Sequence, residues 1–244
     1  MIKFFRQIRY KLMESGKTSK YLKYAIGEIL LVVIGILIAL QVNNWNQNRI
    51  NTNSANVYIE NIKKEVAIQI EILKDQYLDR SERKINGLQL AKSYFEKPFF
   101  IEDTISFTNE ISYGAVFNFG IEKYNQSIYE SLLSSGSIGF VDTELRNDIL
   151  EYYDYYNHAS LVSQGQASNY QNLINGLKPF DPQDPKNIGR IDQIRFIEAL
   201  STEEFIREVN IELSNGLHSI ARVHRIIESG ENLIISIDNY LSND

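Results

Sequence analysis

The histidines are the first residues to consider for metal or acid–base chemistry, and the chain has three: His158, His218 and His224. Two histidines four residues apart share one face of a helix and can hold a zinc ion, as in an HExxH motif. His218 and His224 are six residues apart, which places them on different faces, and the sequence contains no HExxH. His224 and Glu228 have the spacing of an ordinary helix-surface pair. We therefore predict no metal site.

Motifs for nucleophilic or phosphate chemistry are also missing from the sequence. The run Leu133-Ser134-Ser135-Gly136-Ser137-Ile138-Gly139 lacks the glycine that comes two residues before the serine of a G-x-S-x-G elbow. Neither a G-x-x-x-x-G-K-[ST] loop nor a G-x-G-x-x-G loop occurs. Carboxylates are abundant, but which of them pair depends on the fold. We expect no catalytic residue, no cofactor and no enzyme activity.

A cluster of tyrosines is the most unusual local feature: Tyr152, Tyr153, Tyr155 and Tyr156. On a helix these four side chains point around most of the circumference. Tyrosine is favoured at recognition surfaces because it combines a large area with a hydroxyl group. Two interpretations stay open: the cluster forms an interaction surface, or it packs between helices with the hydroxyls at the rim.

Composition and charge narrow the class of protein. With 43% hydrophobic and 23% charged residues, the 244-residue chain has the composition of a folded protein. The absence of cysteine excludes a disulfide framework and thiolate catalysis. Residues 43–244 contain 18 basic and 29 acidic residues, a net charge of −11. Because such a domain repels phosphate on average, we expect no binding to nucleic acid.

A membrane-spanning helix is predicted near the N-terminus, and twelve of the eighteen residues 25–42 are Ile, Leu or Val. From Tyr24 to Trp45 a helix covers roughly 33 Å, enough for a hydrocarbon core of about 30 Å. These two aromatic residues are the predicted interfacial anchors. Residues 1–24 contain seven basic residues and one acidic residue, so the positive-inside rule places residue 1 in the cytoplasm. A cleaved signal peptide fits less well, because the stretch is long and no small-x-small cleavage site follows it.

Three residues of this helix are candidates for contacts within the membrane. Gly35 and Ala39 form a small-xxx-small pair, which lets helices approach closely, although small residues are common in membrane helices anyway. Glu28 is an intramembrane carboxylate, which suggests a functional site. Its position five residues after Lys23 also fits a structural role at the inner face.

Two stretches resemble a known family. The first runs from Tyr24-Ala25-Ile26-Gly27-Glu28-Ile29 through Val33-Ile34-Gly35-Ile36-Leu37-Ile38-Ala39-Leu40-Gln41-Val42-Asn43-Asn44-Trp45, after an opening Met1-Ile2-Lys3-Phe4-Phe5-Arg6. The second comprises Tyr129-Glu130-Ser131-Leu132, Ser134-Ser135-Gly136, Glu144-Leu145-Arg146-Asn147 and Tyr152-Tyr153. Together they resemble a family of uncharacterised single-span membrane proteins from Bacteroidota. The resemblance implies an inner-membrane anchor, a periplasmic domain and a mostly helical fold, and it implies no activity.

The remaining sequence predicts an all-α domain. We divide the chain into a basic cytoplasmic tail (1–24), a transmembrane helix (25–45) and a periplasmic helical bundle (46–244), with two long antiparallel helices at about 57–97 and 202–241. The first is expected to have a charged weak point at residues 79–84. Residues 43–56, with seven asparagines, are either a linker or a continued helix. Residues 99–121 are read as loop plus short helix, with a strand pair as the alternative.

Shorter helices are predicted at residues 125–135, ending at Gly136, then from Thr143 to about His158 after an Asp142 cap, and at about 159–177. Ser201-Thr202-Glu203-Glu204 predicts a capping box before the last helix. The leading functional hypothesis is an interaction or scaffold protein of the inner membrane. Its expected partners are the lipid bilayer, an unidentified protein and a second copy bound through the membrane helix and the bundle. The alternative is a ligand-sensing helical module that works with a separate membrane partner.

Overall fold

The structure is a computed structural model that describes residues 18–116, 121–163, 168–177 and 189–242, together with Gln7 and Tyr10. The chain divides into two compact units, Met1–Ala55 and Asn56–Asp244. Every regular element in the described ranges is a helix, which confirms the all-α prediction for that part of the chain. The α-helices are α1 (Thr18–Ile72), α2 (Asp79–Glu96), α3 (Thr104–Val116), α4 (Ser127–Ser134), α5 (Thr143–Ser163), α6 (Asn169–Leu177), α7 (Arg190–Leu200) and α8 (Glu203–Ser242). A π-helical turn, Leu73–Leu78, joins α1 to α2, and a short 3-10 turn, Ser137–Phe140, follows α4.

Helix α1 contains the apolar stretch predicted near the N-terminus. Its most apolar window of eighteen residues has no buried residue. By length and composition, this is the one helix among the described residues that is able to cross a membrane. The first unit is therefore compatible with a single-pass membrane protein.

The asparagine-rich residues 43–56 belong to the same helix, so the linker interpretation is wrong. Side chains one turn apart support the helix locally: Gln47 Nε2 donates to Asn51 Oδ1 at 3.1 Å, and the Arg49 guanidinium donates to Asn46 Oδ1 at 3.2 Å. The Arg49 guanidinium also lies 5.4 Å from the centre of the Trp45 ring. These local contacts offset part of the poor helix propensity of asparagine.

The expected weak point at residues 79–84 is misplaced. Those residues are α-helical, and Ser81 and Lys84 are buried. The departure from α geometry comes one turn earlier, over Leu73–Leu78, where a π turn widens the helix and rotates its buried face. Lys84, the last residue of this charged stretch, lies in the interior beside the carboxylate of Glu212.

The middle of the chain resolves the choice left open at residues 99–121, because Thr104–Val116 is a helix and the described residues there contain no strand. Asp103 Oδ1 accepts the backbone N–H groups of Ile105 and Ser106 at 3.0 and 3.1 Å and caps α3. α3 packs closely on α2 at Gly87, where a Cβ atom would lie 2.2 Å from the backbone oxygen of Glu110. Only glycine permits this approach.

Helix ends in the centre follow the sequence signals in part. α4 ends just before Gly136, whose φ of 73° is the left-handed conformation expected of a helix stop, so that prediction is confirmed. The Asp142 cap of α5 is also confirmed, since its Oδ1 accepts the N–H groups of Glu144 and Leu145 at 2.8 and 3.0 Å. The predicted break near His158 is wrong, because α5 continues to Ser163 with Ala159 and Ser160 buried.

The C-terminal part contains one unpredicted helix, α7, and the long α8. The cap of α8 is Thr202, whose Oγ1 accepts the Phe205 N–H at 3.3 Å, and the predicted capping box beginning at Ser201 is shifted by one residue. At its start α8 buries Phe205, Val209 and Leu213, whereas Leu217 is exposed. The buried positions in its second half are Val223, Ile226, Ile227, Gly230, Leu233 and Ile237.

One hydrophobic cluster of the second unit forms where α2, α3, α6, α7 and α8 meet. Phe205 of α8 makes edge-to-face contacts with Tyr170 of α6 and Phe196 of α7, with ring centres 5.7 and 6.1 Å apart. Leu88 and Ile111 are fully buried in the same cluster. The sequence separation of these residues means that the long helices are held together by non-local packing.

Candidate interaction surfaces

A buried carboxylate on α1 organises one side of the second unit. The Tyr153 hydroxyl of α5 donates to Glu65 Oε1 at 2.6 Å. The backbone N–H of Ile128, in the first turn of α4, donates to Glu65 Oε2 at 3.1 Å. Glu65 is 8% exposed, so its negative charge is held by a phenol and by the positive end of a helix dipole.

One helical turn further along α1, Gln69 makes a parallel bridge. Its Oε1 accepts the Tyr152 hydroxyl at 2.8 Å, and its Nε2 donates to the backbone oxygen of Asn125 at 2.9 Å. Both Tyr152 and Gln69 are buried. Glu65 and Gln69 therefore attach α5 and the chain just before α4 to the same face of α1.

Two further bonds extend this network along α5. The Tyr156 hydroxyl donates to the backbone oxygen of Glu122 at 3.1 Å, and the Ser160 hydroxyl donates to that of Ile121 at 2.7 Å. Tyr129 of α4 stacks on Tyr153, with ring centres 3.9 Å apart and an angle of 9° between the planes. Residues 121–126, before α4, have no regular structure. The Tyr156 and Ser160 hydroxyls therefore satisfy backbone oxygens that a helix would satisfy internally.

Most of the tyrosine cluster lies in the interior of the protein. Tyr152, Tyr153 and Tyr156 have at most 1% of their surface exposed, so they cannot form an interaction surface in this fold. They pack between helices, and their hydroxyls bond inside the protein rather than at the rim. Tyr155 alone in the cluster is half-buried and reaches the surface. Its interaction role stays a prediction.

Burial changes the acidity of these phenols. It raises the pKa of Tyr153 above its ordinary value, and the bond that the hydroxyl donates to Glu65 raises it further. Burial also raises the pKa values of Tyr77, Tyr152, Tyr156 and Tyr170. At neutral pH all five phenols stay protonated and act as hydrogen-bond donors.

A buried ion pair joins α2 to α8. Lys84 Nζ lies 2.6 Å from Glu212 Oε1, and the two side chains are 2% and 4% exposed. Burial lowers the pKa of Lys84, and the hydrogen bond to Glu212 opposes that shift. Two other ion pairs join α1, or the turn after it, to α8 at the surface: Lys63 with Asp238, and Lys74 with Glu231 at 2.7 Å.

An open groove of about 630 Å³ lies between α5 and α8. Its lining includes Tyr155 and His158, and among the described lining residues Arg225 is the one basic side chain apart from the histidine. Four carboxylates also line it: Asp148, Glu151, Asp154 and Glu228. The groove is therefore predominantly acidic.

The candidate contact residues of the membrane helix all lie in α1. A Cβ atom on Gly35 would have no neighbour within 4 Å, Ala39 is exposed and Glu28 is half-buried. Trp45 is exposed, whereas the side chain of Tyr24 lies outside the part that the structure describes.

The three histidines are separated. His158 is in the acidic groove, and His218 and His224 lie on exposed positions of α8, where His218 Nδ1 is 2.7 Å from the Ser214 backbone oxygen. Among the described residues, no three His, Asp or Glu side chains are arranged to hold a metal ion.

Sequence reasoning missed the buried polar residues Glu65, Gln69, Lys84 and Glu212. Each interrupts the apolar face of a long helix, and Glu65 and Gln69 are four residues apart. A polar residue at an apolar position is the signal that was available. Its partner was not, because the partner lies 56 to 128 residues away in the chain.

Comparison with known families decides where the chain belongs. The sequence profile of a family of unknown function, DUF6090, matches residues 28–177. The chain is a member of this family. No curated protein and no solved structure gives a match. The matched range includes the apolar part of α1 and the Glu65–Tyr153 network, and both stretches that carried the resemblance fall mainly within it.

Proposed function

We propose that this DUF6090 protein is a membrane-anchored interaction protein. The observation that carries the proposal is the exposure of the apolar stretch of α1, which no other described part of the chain covers. A core helix of a soluble protein buries such a surface, so lipid is the environment in which this stretch is stable. No chemical step is part of the proposal.

The proposed location is the inner membrane, with the N-terminus in the cytoplasm and the second unit in the periplasm. The charge distribution supports this orientation, because residues 1–24 carry a net charge of +6 and residues 43–244 carry −11. Trp45, at the opposite end of the apolar stretch from the basic tail, fits the outer interface.

We further propose that α8 runs antiparallel to the α1–α2 stretch of the second unit and gives it a rigid frame for binding other proteins. The order of the ion pairs supports this arrangement. As the lysine number rises from 63 to 74 to 84, the number of the acidic partner falls from 238 to 231 to 212. Buried hydrogen bonds and ion pairs between helices that are distant in sequence favour a preorganised surface, and preorganisation lowers the entropic cost of binding.

Two measurements on the full chain in cells test these proposals. A phosphatase that is active only in the periplasm, fused after Asp244, is expected to be active, and the same fusion after Lys23 is expected to be inactive. The reverse result contradicts the orientation. Crosslinking in intact cells followed by mass spectrometry is expected to yield defined adducts. Recovery of the uncrosslinked chain alone contradicts the interaction role.

The acidic groove favours a second candidate, a ligand-sensing module for organic cations. Spermidine is a suitable probe, and it is expected to raise the melting temperature of the purified full chain at low salt and less at high salt. Glu151→Gln with Glu228→Gln should remove this effect, whereas Glu60→Gln, on an exposed position of α1 outside the groove, should keep it. An equal effect in all variants contradicts the sensing role.

A further inference from the structure

The helical state of residues 43–56 requires an explanation. This stretch has seven asparagines, and residues 43–50 are exposed on every side. A helix that is polar all round and lacks a packed face is only marginally stable in water. The few side-chain bonds within it, such as Gln47 to Asn51, stabilise it only weakly, so contact with a partner would add to its stability.

A heptad repeat on this helix shows which face a partner would cover. Ile29, Ile36, Asn43 and Ile50 follow one another at intervals of seven residues and occupy the a positions. The d positions of the same repeat are Ala25, Val32, Ala39, Asn46 and Asn53. In coiled coils, asparagine at a core position selects the register and the number of strands.

Side-chain exposure distinguishes the a–d face from other positions at the end of this stretch. Between residues 50 and 55, the half-buried Asn51 and Thr52 and the buried Ala55 occupy positions b, c and f. Ile50 and Asn53, at a and d, are exposed. The a–d face is thus exposed at residues 50 and 53, while other positions of the same turns are buried or half-buried.

We propose that the a–d face of residues 29–53 binds the same face of a second copy of this chain, forming a parallel two-stranded contact that continues from the membrane into the asparagine-rich stretch. The inference rests on the proposed membrane anchor, because a shared anchor orientation makes two copies parallel. In the membrane, Ala39 at d allows close approach. Beyond it, Asn43, Asn46 and Asn53 each carry both a donor and an acceptor, so each can pair with its own copy.

The chemistry of the a–d face suits a second copy. The stretch 43–53 carries a single charged residue, Arg49, at the flanking g position, so two copies oppose no like charges at a or d. The strip from residue 29 to 53 is about 36 Å long and roughly 10 Å wide. Its area, on the order of 400 Å² per chain, is about half that of a standard interface. A dimer of this size depends on the high effective concentration that a membrane provides.

Cysteine crosslinking tests the proposal directly, because the natural chain has no cysteine. Single substitutions of exposed asparagines give a matched set in the full chain in native membranes. Asn43→Cys, Asn46→Cys and Asn53→Cys place a thiol at a or d, and Asn44→Cys and Asn48→Cys place it at b or f. We expect disulfide-linked dimer to form at least several-fold more at the first three positions than at the last two.

A charge substitution supplies a second measurement. In the Asn43→Cys background, Asn53→Asp places two carboxylates opposite each other and should reduce the disulfide dimer several-fold. Asn48→Asp adds the same charge on the outer face and should leave it unchanged. Equal crosslinking at all five positions, a maximum at positions 44 or 48, or no dimer at all overturns the proposal. A disulfide adduct with a different protein at the a and d positions also overturns it, since the face then belongs to that partner. If the phosphatase fusion after Asp244 is active while any of these results is obtained, the membrane anchor is supported and the dimer is contradicted.

Discussion

Removing one charge of the buried ion pair offers the sharpest test of the structure. The Lys84→Met substitution keeps most of the volume of the side chain but leaves Glu212 without its cation in a site where both side chains are at most 4% exposed. Breaking a buried pair from one side costs about 3–5 kcal/mol, because an uncompensated charge stays out of water.

The chain contains a matched control. Lys74 and Glu231 pair at 2.7 Å, almost the distance of the buried pair, but their side chains are 49% and 52% exposed. Lys74→Met should cost about 0–1 kcal/mol, since water and salt already screen that pair. The two substitutions remove the same group at similar distances, so burial is the variable that separates them.

Thermal unfolding of the purified full chain in detergent, followed by circular dichroism, measures the difference. A domain of 150–250 residues loses about 2–4 °C of melting temperature per kcal/mol. Lys84→Met should therefore lower the melting temperature by roughly 6–20 °C, and Lys74→Met by less than about 4 °C. Adding Glu212→Leu to Lys84→Met should restore most of the loss, because an apolar pair can replace a buried ion pair. Equal shifts for the two single variants, or no recovery in the double variant, would refute the burial of this pair.

Three further predictions concern the second unit. Tyr153→Phe removes a buried hydroxyl and leaves the Glu65 carboxylate without one of its hydrogen-bond donors, so it should cost about 1–3 kcal/mol. Tyr155→Phe, at the surface, should change stability by no more than about 0.5 kcal/mol. Urea titration of both variants checks this. Gly87→Ala should destabilise the fold by about 1–3 kcal/mol because its Cβ atom meets the backbone of α3. Gly176→Ala, where a Cβ atom has no neighbour within 4 Å, should be neutral or stabilising. Equal melting temperatures for the two variants would contradict the packing of α2 on α3. The five buried tyrosines with raised pKa values should make the protein unfold at alkaline pH. Their contribution to the free energy of unfolding is complete below the tyrosine pKa of the unfolded chain, about 10. Above that pH it falls by about 1.4 kcal/mol per tyrosine per pH unit. Tyrosinate absorbance and circular dichroism should then change together above about pH 10, and gradual titration without unfolding would show that the phenols are accessible.

Local sequence signals were sufficient for several elements. The apolar stretch near the N-terminus, the all-α class, the stop at Gly136 and the cap at Asp142 each depend on residues within one or two helical turns. The sequence was less informative where competing signals were close in strength. The asparagines of residues 43–56 favoured a linker as much as a helix, and α7 lacks a strong cap or stripe.

The interior arrangement could not be read in the same way. Four tyrosines in five positions allow either a surface or a core role, and the choice depends on α1 lying against α5, with Glu65 and Gln69 placed to accept two of the hydroxyls. Lys84, in the charged stretch 79–84, could not be recognised as buried because its partner Glu212 is 128 residues away. The composition and periodicity of the chain determined that the fold is helical and which segment is able to enter a membrane, since these properties arise from neighbouring residues. Only the tertiary structure decided which polar groups are buried and which side chains of α1 are exposed, since burial depends on contacts between residues that are distant in sequence.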